Sequence, residues 1–253
     1  MESLSGLGNL AKLPAEIRLQ VWDNFLPHCS NGRQMNTGSS AKPKSTDSLT
    51  AALRTNSMLC DEILHHIYCN LSLEIVILPN CERGRWISVT SNKGHMWGFA
   101  DMEDIVSRGF NTLPYHKLSA IKIVIHAPHE EDEGQFLCLW KKCWDIGKLL
   151  SKGDKRLQDL AIIFQDSDAR KWLVNGKPLV STQLGDHYLQ SADYHHLLDA
   201  FTEVQKTTKA SIIVPKDLQS YLLSVKGSFI PRMEEFLTRA TPYVVAHEAL
   251  DDA

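Results

Sequence analysis

Leu118-Ser119-Ala120-Ile121-Lys122-Ile123-Val124-Ile125 and Leu157-Gln158-Asp159-Leu160-Ala161-Ile162-Ile163-Phe164 share one arrangement, an L-x-x-[L/I]-x-I-x-[I/F] order. In each, apolar side chains fall on alternate positions toward the end of the run, the signature of a strand with one buried face. Between them, Phe136, Leu137, Trp140, Cys143, Trp144, Gly147 and Leu150 recur at helical spacing. Strand, helix, strand predicts parallel pairing with a right-handed crossover. The chain therefore reads as α/β (or α+β), built from parallel strand–helix–strand units. The order within the two strands matches that of leucine-rich repeats, but they lie too far apart for a repeat of about 20–29 residues. An α/β layer or a short irregular horseshoe is expected, not a true repeat array.

Working outward, a helix from about Asp193 carries Tyr194, Leu197, Leu198, Phe201 and Val204, and a third strand, Ala210–Val214, is cut off by Pro215. Asp217 reads as the cap of a helix bearing Leu218, Tyr221, Leu222 and Val225. Trp172–Val180 holds an Asn175-Gly176 pair flanked by apolar residues, which predicts a hairpin. Pro178 confines its return strand to an edge. Upstream, Leu71, Leu73, Ile75 and Ile77 alternate as a strand, and Trp86–Thr90 reads as a second strand. Asp101 is expected to cap a short helix carrying Met102, Ile105 and Val106, stopped by Gly109.

The first part of the chain is helical in pattern. Pro14 suits a first helical position, Glu16 the first turn, and Pro27 a stop. Ile17, Leu19, Val21, Trp22, Phe25 and Leu26 spread over an arc of roughly 200°, about twice what one core contact needs. That helix is either enclosed within its own domain or has an apolar side awaiting a partner. Residues 28–48 contain no aromatic and no aliphatic β-branched residue and read as a mobile polar insertion. Leu49, Ala52, Leu53, Leu59, Cys60, Ile63, Leu64 and Ile67 then recur at helical spacing.

Leu13-Pro14-x-Glu16-Ile17 followed by an apolar helix resembles the start of an F-box, the adaptor motif of cullin–RING ubiquitin ligases. Ala52–Ser57, Glu62–Leu64 and Ile67–Asn70 resemble its second half, and the pattern is similar to the F-box-like proteins of filamentous fungi. The resemblance implies an F-box-like helical element over 10–70, interrupted by the insertion at 28–48, packed on an α/β recognition region over 71–245. It implies that Leu13, Pro14, Ile17, Val21, Trp22 and Phe25 contact a Skp-type linker protein while the α/β region holds a target protein.

Bulk properties set the frame. The chain has 253 residues, a hydrophobic fraction of 43% and a formal net charge of -3. This composition fits an ordinary globular chain and gives no electrostatic basis for nucleic acid as main partner. No apolar run is long enough to span a bilayer. Residues 1–12 read as a frayed leader without the basic-then-apolar pattern of a secretory signal, so an intracellular, cytoplasmic and/or nuclear, location is expected. The six cysteines are sparse, and several of them lie in apolar-periodic segments, which fits reduced thiols.

No cofactor or metal ligand set is expected. Cys60, His65, His66 and Cys69 lack a second pair at structural-zinc spacing, and core cysteines beside half-exposed histidines explain them more simply. No nucleophile elbow or phosphate loop is present. His195-His196 reads as one histidine toward water and one packed. Trp140, Trp144 and Trp172 read as core, with a recognition surface as the alternative. Glu130, Glu131 and Asp132 follow one strand, and Asp166 and Asp168 follow the next. Together they predict an acidic recognition rim at the strand ends, where α/β proteins place their sites. The expected function is a protein–protein interaction module, a substrate adaptor of an SCF-type ligase. The alternatives are a stand-alone binding or scaffold protein, or an enzyme using the acidic strand ends.

Overall fold

The computed structural model describes residue 14 and residues 57–80, 87–130, 132–152, 156–167, 169–180, 192–204, 207–224 and 229–238. Helix α1 (Ser57–Cys69) leads into β1 (Ser72–Ile77), followed by β2 (Ile87–Ser91), β3 (Met96–Phe99) and α2 (Met102–Ser107). Two 3-10 turns, Phe110–Thr112 and Tyr115–Lys117, precede β4 (Ala120–His126), α3 (Glu133–Ser151) and β5 (Leu157–Gln165). A ribbon of β6 (Leu173–Val174) and β7 (Lys177–Pro178) follows, then α4 (Asp193–Asp199), β8 (Thr207–Ile213), α5 (Lys216–Ser224) and α6 (Phe229–Thr238).

Six strands form one mixed sheet in the order β3-β2-β1-β4-β5-β8. β1, β4, β5 and β8 run parallel, while β2 and β3 extend the sheet antiparallel beyond β1. The two quoted runs are the neighbouring central strands β4 and β5, joined through α3, so the fold is α/β as read from them. Their lateral order is monotonic, each parallel strand being laid beside the one before it. Crossovers of one hand in one direction place their connections on one side of a sheet.

Burial follows that rule. Leu73, Ile75 and Ile77 of β1, Ile121, Ile123 and Ile125 of β4, and Leu160, Ile162 and Phe164 of β5 lie on one face, aligned across the strands. They share a single core with Ile105 of α2, Phe136 and Leu139 of α3, and Leu197 and Leu198 of α4. That core runs from Leu73 to Leu237. Two contacts lock α3 into it. Gly147 lets the α3 backbone lie against the Ala200 carbonyl group that follows α4. Lys142 is fully buried, and its ammonium donates to the carbonyls of Leu78 (2.7 Å) and Asn80 (3.3 Å) just beyond β1. Those carbonyls are thereby paired rather than stranded away from water.

Local signals act as their chemistry dictates. The Asp101 carboxylate accepts from the Asp104 amide at 2.8 Å, and the Asp104 carboxylate accepts from the Ala100 amide at 3.2 Å. Gly109, at φ 76°, ends that segment. Asn175 (φ 51°) and Gly176 (φ 75°) make the tight turn between β6 and β7, the left-handed pair that two-residue hairpins favour. Asp217 lies inside the first turn of α5, two residues later than the cap position at Pro215.

Two elements go beyond the sequence reading. β3 is only four residues long and includes Gly98, too short to show alternation. α6 carries Pro231 in its first turn, where the missing N–H is tolerated although the residue reads as a breaker. α6 closes the outer edge of β8. Glu234 accepts from the Ile212 amide at 2.6 Å, and the Thr207 hydroxyl donates to the Leu237 carbonyl at 2.9 Å. An edge strand otherwise offers its amides to foreign chains.

Candidate functional site

The face of the sheet turned away from the core carries a different set of residues. Strand register aligns them in rows across the sheet. One row joins Glu74, Lys122, Ala161 and Ser211, and beside it Ser72, Ala120, Asp159 and Lys209 stand two positions earlier in their strands. Lys122 pairs with Glu74 at 2.5 Å, and Lys209 pairs with Asp159 at 3.3 Å. Small side chains at Ser72, Ala120 and Ala161 leave a depression of about 410 Å³ between these pairs, which Thr90 and Asn92 help to line.

The next row toward the strand ends is Val76, Val124, Ile163 and Ile213, four β-branched residues side by side on four parallel strands. Val124 is 4% exposed and Ile213 is 50% exposed, with Val76 and Ile163 half-buried. This face thus carries a charged ladder, a shallow basin and an apolar row that is covered at Val124 and open at Ile213. Each exposed ion pair contributes only about 0–1 kcal/mol, so the ladder is poorly explained as a stabilising device.

The C-terminal ends of β4 and β5 form a second region. His126 and Gln165 are in register, and the Ala127 amide donates to the Gln165 carbonyl at 3.0 Å, so the two strand ends adjoin. Of the acidic residues read as a rim, Glu130 and Asp132 are exposed and Asp166 is half-buried, while Glu131 and Asp168 lie outside the described residues. Asp166 accepts from the Trp172 amide at 2.9 Å and holds the ribbon against the strand end. Asp132 accepts from the Gln135 side-chain amide at 2.9 Å, and Gln135 Oε1 accepts from the His129 backbone amide at 3.0 Å. A cleft of about 320 Å³ here is lined by His129 and Glu130 together with Arg170 and Lys171. Its charge is mixed, because the ribbon brings two cations opposite the acids. Sequence reading named the acids and overlooked Arg170 and Lys171, although both stand beside the hairpin it predicted.

The remaining candidates are quickly placed. Pro14 is exposed and outside regular structure, whereas Leu13, Ile17, Val21, Trp22 and Phe25 lie outside the described residues, as does the insertion at 28–48. Cys69 and His65, one turn apart on α1, approach within 3.4 Å and are both exposed. Among the described residues no group of three or more His, Cys, Asp or Glu is placed to hold a metal ion. Burial pushes the Cys143 thiol up, against a weaker opposing effect of Lys142, so this core sulfur stays protonated. His196 is the packed histidine of the pair, and His195, half-buried beside the Tyr194 ring, is the more accessible one. Trp172 is core, packed edge-on to Phe164. Trp140 is not: it is 37% exposed and stacked on Trp144 at 6.0 Å, which corrects the core reading for that residue. Helical spacing identifies a face without saying which faces are covered.

Among the described residues no helix is long and apolar enough to cross a membrane. No protein-family model, curated protein or solved structure matches the chain.

Proposed function

We propose that the chain is a protein-interaction module that recognises a target through the outward face of its sheet. The observation that supports this is the one-sided winding: the main core lies on one face, and the other presents Glu74, Lys122, Asp159 and Lys209 beside the accessible parts of Val76, Ile163 and Ile213, with Val124 buried between them. A broad, shallow and chemically varied surface fits a folded protein partner better than a small molecule, which needs a deep enclosing pocket.

The likeness of Leu13–Phe25 to an F-box supports a specific use of that surface, as substrate adaptor of a cullin–RING ligase. Leu13, Pro14, Ile17, Val21, Trp22 and Phe25 would engage a Skp-type linker protein. The chain would then do no chemistry; it would raise the effective concentration of a target lysine near the ligase. Such a role belongs in the cytoplasm or nucleus.

The test is a pull-down of the full chain with purified Skp-type linker protein, wild type beside a Pro14→Ala/Ile17→Asp variant. Binding by the wild type, lost in a variant with unchanged circular dichroism, supports the adaptor role. A folded wild type that leaves the linker protein unbound refutes it and leaves a stand-alone binding protein.

A further inference from the structure

Helix α3 shows two unlike sides. Its inner side, Phe136, Leu139, Cys143, Ile146 and Leu150, is buried in the core. On its outer side, at about 100° per residue, Leu137, Trp140 and Trp144 form one stripe, and Lys141, Lys148 and Lys152 run directly beside it. Leu137 and Trp140 are each 37% exposed, Trp144 is half-buried, and all three lysines are exposed. The Trp140 and Trp144 rings stack with an interplanar angle of 24°, and the Lys148 ammonium stands 5.3 Å from the Trp144 ring centroid. The outcome is an ordered ladder of indole, indole and ammonium along three successive turns. Asp145, half-buried between Lys141 and Lys148, offsets one of the three positive charges.

We infer that this face is a docking site for an acidic amphipathic helix of a partner protein. Two rigid indoles and Leu137 give anchors at little cost in side-chain entropy, and aromatic residues of this kind dominate binding energy at interfaces. The stripe runs along the helix axis, so a second helix laid along it meets the indoles with apolar residues at i, i+3, i+4 and i+7. Charge sets the partner's flank. The lysine stripe requires acidic residues on one side of the incoming helix. The site shares no residue with the outward sheet face or with the stretch Leu13–Phe25, so it stands whether or not the adaptor reading holds.

The experiment measures fluorescence anisotropy of labelled peptides titrated with the full chain. One peptide is an acidic amphipathic helix about five turns long, with Leu anchors and Glu flanks. A second has every Glu replaced by Lys. The acidic peptide is expected to bind the wild type in a salt-sensitive manner, and the basic one to bind at least about tenfold more weakly. Trp140→Ala is expected to weaken the acidic peptide by about tenfold or more. Lys141→Glu/Lys148→Glu is expected to weaken it comparably and to remove the salt sensitivity. All these positions are exposed, and circular dichroism checks that the variants are folded. The inference is overturned if the wild type binds neither peptide, if it binds both equally, or if the variants bind as the wild type does. It is equally overturned if the tryptophan emission responds to phosphatidylserine vesicles and not to the acidic peptide, which would assign the face to a membrane.

Discussion

Replacing Gly147 by alanine tests the contact on which the helix layer depends. Alanine is the better helix former by about 1 kcal/mol, so on a free helix face Gly147→Ala would raise stability. Here the added Cβ would lie less than 3.0 Å from the Ala200 carbonyl oxygen and 3.2 Å from its carbonyl carbon, with the Phe201 Cα at 3.8 Å. All three obstacles are backbone atoms, so no side chain can swing aside. Relief requires α3 and α4 to separate, which loosens the packing of Leu198, Phe201 and Ile146, all 0–1% exposed. Overpacking of this kind costs about 1–3 kcal/mol, and a backbone obstacle belongs at or above the top of that range. After the propensity gain, a net loss of about 2 kcal/mol is expected. For a chain of this size that lowers the melting temperature by about 4–8 °C. Urea unfolding followed by far-ultraviolet circular dichroism measures it, with Gly134→Ala as control. At Gly134 the nearest obstacle is the Asp132 carboxylate at 3.2 Å, the end of a side chain that can move, so the change is expected within about 0.5 kcal/mol. A Gly147→Ala midpoint equal to or above that of the wild type would refute the close approach of α3 to α4.

Two further outcomes follow from the same framework. Glu234→Ala removes the acceptor of the Ile212 amide on the outer edge of β8, with an expected loss of about 1–2 kcal/mol and faster hydrogen exchange at that amide; Glu234→Gln should recover most of it, and unchanged exchange in the alanine variant would refute the edge-capping role. Burial, reinforced by the charge of His196, holds the His195 imidazole below its ordinary 6.5. The unfolded chain therefore takes up that proton first on acidification, and stability contributed by the neutral ring is lost as pH falls below about 6.5. His195→Gln should shrink the difference in urea midpoint between about pH 7.5 and 5.5, and an undiminished difference would show that other groups carry it.

Much of the fold was legible because its signals are local. The period-two runs in β1, β4 and β5 mark strands, the Asp101 carboxylate marks a helix start, and Asn175-Gly176 marks a turn, each through residues adjacent in the chain. β3 and α6 escaped because one is too short to show a period and the other opens around Pro231. The candidate site was less legible for a different reason. Glu74 and Lys122 stand 48 positions apart, and only strand register makes them neighbours. The same holds for the row Val76, Val124, Ile163 and Ile213, whose members read singly as the second faces of their strands. Trp140 shows the converse limit: its spacing matched that of Phe136 and Cys143, but whether a helix face is covered depends on what the rest of the chain places over it.

The monotonic order β1-β4-β5-β8 also bears on how the molecule is made. Each parallel strand, as it leaves the ribosome, finds the growing edge of the sheet formed by the strand synthesised just before it. No parallel strand must wait for a later one to be inserted between itself and its predecessor. Assembly can therefore keep pace with translation, misregistration of the parallel strands is confined to the growing edge, and α6, the last described element, seals that edge when Glu234 reaches the Ile212 amide.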